Sequence, residues 1–138
     1  MAWREKLAWI NLVAMLIAYG VYFTLISTSV HSPMSMLGLF AAVTVVQVVA
    51  VIVATIVLAA LSRQEARAKA DERDRAIARR GASGAYFVLI IGMLTVGVVL
   101  PFSNVGRPIT NAALLALVIA EVVRHIIIVV SYRRGWHG

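Results

Sequence analysis

The sequence predicts an all-α membrane protein: four transmembrane helices, N and C termini cytoplasmic, and helices 2 and 3 extended into a cytoplasmic charged hairpin. Three observations carry this. The 138-residue chain is 62% hydrophobic with a mean hydropathy of +0.91, above the apolar share of ordinary globular domains. Four apolar runs, at about residues 8–27, 33–61, 84–100 and 109–132, fall in the length range that spans a bilayer, roughly 17 residues or more. Lys and Arg are unevenly placed: two precede the first run, seven lie between the second and third, and two follow the fourth. The two opposite loops hold only Arg107. Bases favour the cytoplasmic side, which places both termini there. The length suits one domain, so residues 1–138 are expected to form a single four-helix transmembrane bundle.

The net charge of +7 and pI near 10.9 do not imply direct nucleic-acid binding, because the bases sit beside apolar spans rather than on a soluble module. The absence of Cys excludes disulfides, thiolate chemistry and Cys-based metal sites.

Trp3 and Trp9 flank Arg4, Glu5 and Lys6 as interfacial aromatic anchors do. The first apolar run exceeds the roughly 7 to 15 residues of a signal-peptide core and is expected to be retained. Its polar features are Asn11, Tyr19, Tyr22 and Thr24, and Ala14 and Ala18 are spaced for close helix packing. A short uncharged loop with His31 follows. Ser32 then Pro33 reads as a side-chain cap and a first-turn proline. Gln47 lies near the middle of the second span. Neither Gly nor Pro occurs between Leu39 and Arg80, so this helix is expected to continue past the membrane surface to about Ala70.

Residues 62–80 form the cytoplasmic hairpin, rich in Ala and charge. Glu65 with Lys69, and Asp71 with Arg75, have the acid-first i,i+4 spacing that supports a helix. Asp71 is expected to cap a new helix, with Glu72 and Asp74 complementing its first turn. Arg73, Asp74, Arg75, Arg79 and Arg80 offer a partner-docking face, to be weighed against an ordinary solvated charged surface. An amphipathic helix lying on headgroups is disfavoured by a thin apolar face. Gly81 to Ala85 is a small-residue cluster suited to tight packing. The third span carries Gly92, Thr95 and Gly97, and Pro101 is expected to end it. Pro108 starts the fourth helix as Pro33 starts the second.

The fourth span concentrates the chemistry. Its thirteen Ile, Leu and Val residues between Ile109 and Val130 contribute roughly −6 kcal/mol to insertion, and two unpaired charges would cancel nearly all of that. Glu121 can reach Arg124 and His125 at i,i+3 and i,i+4. Leu115, Ile119, Val122, Val123, Ile126 and Val130 are expected to face lipid, and Ala112, Ala116 and Ala120 to admit a neighbouring helix. Intramembrane charges are functional by default, and a structural salt bridge is the competing reading. Counting depth at about 1.5 Å per residue allows Glu121, Arg124 and His125 to share a buried polar layer with Tyr19, Gln47 and Thr95.

No nucleophile elbow, phosphate loop, dinucleotide fingerprint or zincin motif is present. No enzyme, cofactor or metal site is therefore expected. The run Asp71-Glu72-Arg73-Asp74-Arg75-Ala76-Ile77 before the third span resembles a signature of a group of small prokaryotic four-span membrane proteins for which no activity is established. Such genes commonly neighbour small helix-turn-helix regulators, so the resemblance implies a membrane partner of a cytoplasmic regulator. Two functions follow as expectations: a non-enzymatic sensor or regulatory partner acting through the hairpin, or a small oligomeric transporter or channel using Glu121, Arg124 and His125. In either case the expected setting is the bacterial inner membrane, with lipid contacts and a homo-oligomer.

Overall fold

The computed structural model describes residues 2–29, 32–102 and 109–135. Four long helices, α1 (Trp3–Thr28), α2 (Pro33–Leu61), α4 (Glu72–Phe102) and α5 (Ile109–Arg133), are each long and apolar enough to cross a membrane. A short α3 (Arg63–Arg67) lies between α2 and α4. His31, the second outer loop with Arg107, the helix start at Pro108, and the tail residues Trp136 and His137 lie outside the described residues.

The caps form as the sequence predicts. The Ser32 side chain accepts from the Ser35 N–H, with Pro33 in the first turn. Asp71 and Asp74 form a reciprocal capping box: the Asp74 N–H donates to Asp71 Oδ1 at 2.7 Å, and the Asp71 N–H to Asp74 Oδ2 at 3.3 Å. The hairpin differs in one respect. The second helix does not run to Ala70 but ends at Leu61, where Ser62 leaves helical geometry (φ −128°, ψ 53°). Helix α3 resumes for one turn, and residues 68–71 are non-helical. With Lys69 outside a helix, the expected Glu65–Lys69 pairing gives way to Glu65 with Lys6, and Asp71 serves as a cap rather than as a partner of Arg75.

Pro101 does not end the third span. The helix passes through it to Phe102, because the preceding turn, Thr95–Val99, is a π-helix whose last bond runs from the Leu100 N–H to the Thr95 carbonyl. A proline clashes with the carbonyl four residues back and donates nothing. A locally widened turn relieves that conflict without breaking the helix.

Helix α5 is the shared element. It packs against α4 on one side and α1 on the other, while α2 lies mainly on α1. Ala116 and Ala120 are buried, as is Val118, and two residues turn a helix by about 200°. The small residues therefore face α4, and Val118 faces Met15 and Tyr19 of α1. Val122 also packs on that α1 cluster instead of facing lipid. Leu115, Ile119, Ile126 and Val130 are exposed as expected. On α1 the buried residues are Glu5, Ala8, Leu12, Met15, Tyr19, Tyr22 and Ile26, an alternating three–four spacing that makes a continuous seam. In contrast, only 6% of the apolar window of α2 is buried, against 28% for α1.

The α4–α5 contact depends on glycine. A Cβ at Gly92 would lie 2.8 Å from the Ala116 Cβ, and one at Gly81 would lie 2.8 Å from Ile128 Cγ1 and 3.1 Å from the Arg124 carbonyl oxygen. The Ala116 Cβ and the Arg124 carbonyl cannot rotate away. At Gly84 the obstacle is the tip of Ile127, which can. Gly92→Ala should therefore force the helices apart and cost about 1 to 3 kcal/mol. Gly20→Ala, which meets nothing within 4 Å, should be neutral or gain about 0.5 to 1 kcal/mol. Thermal midpoints of the two variants in one detergent test this ordering, and equal effects would contradict it.

Candidate functional site

The residues with chemical potential fall in three places. The first is on α5. Arg124 Nη1 donates to Glu121 Oε2 at 3.5 Å, and the two side chains are 43% and 41% exposed. Together with Ala82, Ala85, Tyr86, Leu89, Leu117 and Ala120 they line a cavity of about 250 Å³ between α4 and α5. Arg124 Nε is buried there without a hydrogen-bond partner among the described residues. His125 does not bind the Glu121 carboxylate. Its Nδ1 lies 2.9 Å from the Glu121 backbone carbonyl, which can only accept, so Nδ1 carries the proton and a neutral ring is left with Nε2 as its acceptor.

The second place is the α1–α2 contact. The Tyr19 hydroxyl pairs with Thr44 Oγ1 at 3.2 Å, and its ring stacks on Phe40 with centroids 5.2 Å apart. Gln47 opens into an apolar groove of about 830 Å³ between α1 and α2. Thr95 donates to the Ile91 carbonyl. No hydrogen bond among the described residues links Tyr19, Gln47 or Thr95 to Glu121, Arg124 or His125. The single polar layer is thus not assembled. Tyr19 meets the Val118 face of α5, and Glu121 and Arg124 open on the α4 side.

The third place is the charged end, where the start of α1, the hairpin and the end of α5 come together. Arg4 Nε lies 3.2 Å from Asp74 Oδ2, and the Tyr132 hydroxyl donates to Asp74 Oδ1 at 2.6 Å. Arg133 lies 3.8 Å from the buried Glu5 carboxylate and covers the Trp9 ring at 5.2 Å. Lys6 Nζ donates to Glu65 Oε2 at 2.6 Å. That bond holds the Glu65 carboxyl below its usual range, so the tie is present above the ordinary carboxylate pKa and is lost as pH falls through the lowered one. Of the expected docking residues, Asp74 is held internally and Arg73 reaches the Tyr132 carbonyl at 3.5 Å. Arg75, Arg79 and Arg80 are exposed.

The sequence gives little warning of this network. Its acids and bases are over 50 residues apart, and only the coincidence of charge at three predicted helix ends hints at it. Two outcomes follow. Asp74→Ala removes half of the capping box and the partner of Arg4 and Tyr132, and should cost roughly 2 to 3 kcal/mol. Glu65→Gln, at an exposed carboxylate, should change the thermal midpoint little. For the intramembrane pair, Glu121→Leu and Arg124→Leu should each leave a lone charge worth roughly 3 kcal/mol, and the double Leu variant should recover much of it. A double-mutant cycle in detergent measures the coupling, and additive losses would show that the two side chains answer to different partners.

Comparison with family models gives no match, and neither the curated proteins nor the solved structures give one. What the chain itself establishes is a small multi-pass membrane protein with four helices that can cross the bilayer.

Proposed function

We propose that the protein is a non-enzymatic membrane sensor or regulatory partner whose output is the hairpin between α2 and α4. The observation that carries this reading is the attachment of the hairpin to both ends of the chain. Lys6 grips Glu65, Arg4 and Tyr132 grip Asp74, and Arg133 grips Glu5 beside them. A change in helix packing within the bilayer alters these ties and so shifts Arg75 and Arg79, which point outward. The counting of Lys and Arg puts this end in the cytoplasm, and a bacterial inner membrane fits that orientation. The resemblance of the Asp71–Ile77 run to small prokaryotic four-span proteins supports a cytoplasmic regulator as the partner.

A homo-oligomer is part of this reading. Helix α2 has a single buried residue, Met36, and its groove with α1 contains the amide of Gln47. An amide in hydrocarbon gains from an interhelical hydrogen bond, which a second copy can supply. The cavity beside Glu121 and Arg124 favours a second reading, a small transporter or channel.

Two measurements separate the readings. Pull-down from the native membrane should recover a cytoplasmic partner with wild type and lose it with Arg75→Glu/Arg79→Glu; equal recovery removes the docking claim. In proteoliposomes the sensor reading expects no flux of ions or organic cations. Flux abolished by Glu121→Gln would instead establish the transporter.

A further inference from the structure

We propose that the crevice between α4 and α5 near the charged end is a binding site for one anionic phospholipid. The crevice holds about 380 Å³ and is lined by Arg80 from α4 and by Ile126, Ile127, Val130, Ser131 and Arg134 from the α5 side. Residues 126, 130 and 134 are four apart and share one helix face. That face therefore reads apolar, apolar, cationic towards the chain end. Ile126 and Val130 are 43% and 39% exposed, an open track for an acyl chain. Arg134 stands at its polar end, where a phosphodiester would lie, and Arg80 lines the crevice from the α4 side.

Ser131 supplies an independent observation. It is only 3% exposed yet lines the crevice, and its hydroxyl makes no hydrogen bond among the described residues. A lipid phosphate or glycerol oxygen at the mouth would satisfy it. The adjacent arginines also divide their work. Arg133 turns to Glu5 and Trp9, whereas Arg134 lines the crevice.

The ligand class follows from the shape. Free phosphate would use the arginines and leave the apolar track empty. A zwitterionic lipid would bring its own cation towards two guanidinium groups. An anionic phospholipid matches both ends, and basic pockets between transmembrane helices suit such headgroups.

The test uses the full chain purified in detergent, offered equimolar phosphatidylglycerol and phosphatidylcholine, with bound lipid counted by native mass spectrometry. Wild type should retain phosphatidylglycerol preferentially. Arg134→Gln should reduce that preference about fivefold, the contribution of one surface-adjacent base, and Val130→Trp should abolish retention by filling the track. Arg67→Gln, an exposed base on the hairpin, should leave it unchanged. Equal retention of the two lipids, an equal effect of Arg67→Gln and Arg134→Gln, or displacement by millimolar inorganic phosphate would each overturn the proposal. Should Val130→Trp fail to fold, the comparison of Arg134→Gln with Arg67→Gln decides alone.

Discussion

The close approach of α4 to α5 is the constraint from which the remaining arrangement follows. Lipid tails are as apolar as the helix surfaces, so burying Leu or Ile against a neighbour brings little that lipid would not. Contact between backbones, allowed where Gly81 and Gly92 meet the α5 backbone and Ala116, brings dispersion contacts that lipid cannot match as densely. Once α5 is held by its small-residue face, its opposite face is left for the α1 seam, and α2 is added outside. The charged end then closes because the start of α1, the capping box of α4 and the end of α5 share one level.

Much of this architecture is legible in the sequence. Asp71 and Ser32 announce their helix starts by side-chain chemistry alone, and Gly81 to Ala85 announces a packing face. The α1 seam is not legible from hydropathy, since nearly every residue of that helix is apolar whether it faces protein or lipid. Val122 illustrates the difficulty: a valine on a membrane helix reads the same against Tyr19 as against an acyl chain. The break at Ser62 and the passage of the helix through Pro101 were likewise hidden, because each depends on a local backbone compromise.

The polar residues divide in the same way. The spacing of Glu121 and Arg124 makes their pairing readable, and the structure places them on a cavity with α4. Depth alone suggested company from Tyr19 and Gln47, but depth carries no information about rotation around the helix axis. Tyr19 is instead fixed by Thr44 and Phe40. The network around Asp74 was hidden because its members are remote in sequence and meet only through the fold.

The wide turn at Thr95–Val99 has a consequence for the geometry of the chain's exit. A π-turn accommodates one residue more than the α-helical ladder around it, and one residue corresponds to about 100° of rotation. Leu100, Pro101 and Phe102 are therefore aimed differently from the same residues of an unbroken helix. Loss of one residue within Thr95–Val99 would restore the α-helical ladder and leave Pro101 and Phe102 near the azimuth they have now, because the widened turn already absorbs the extra residue.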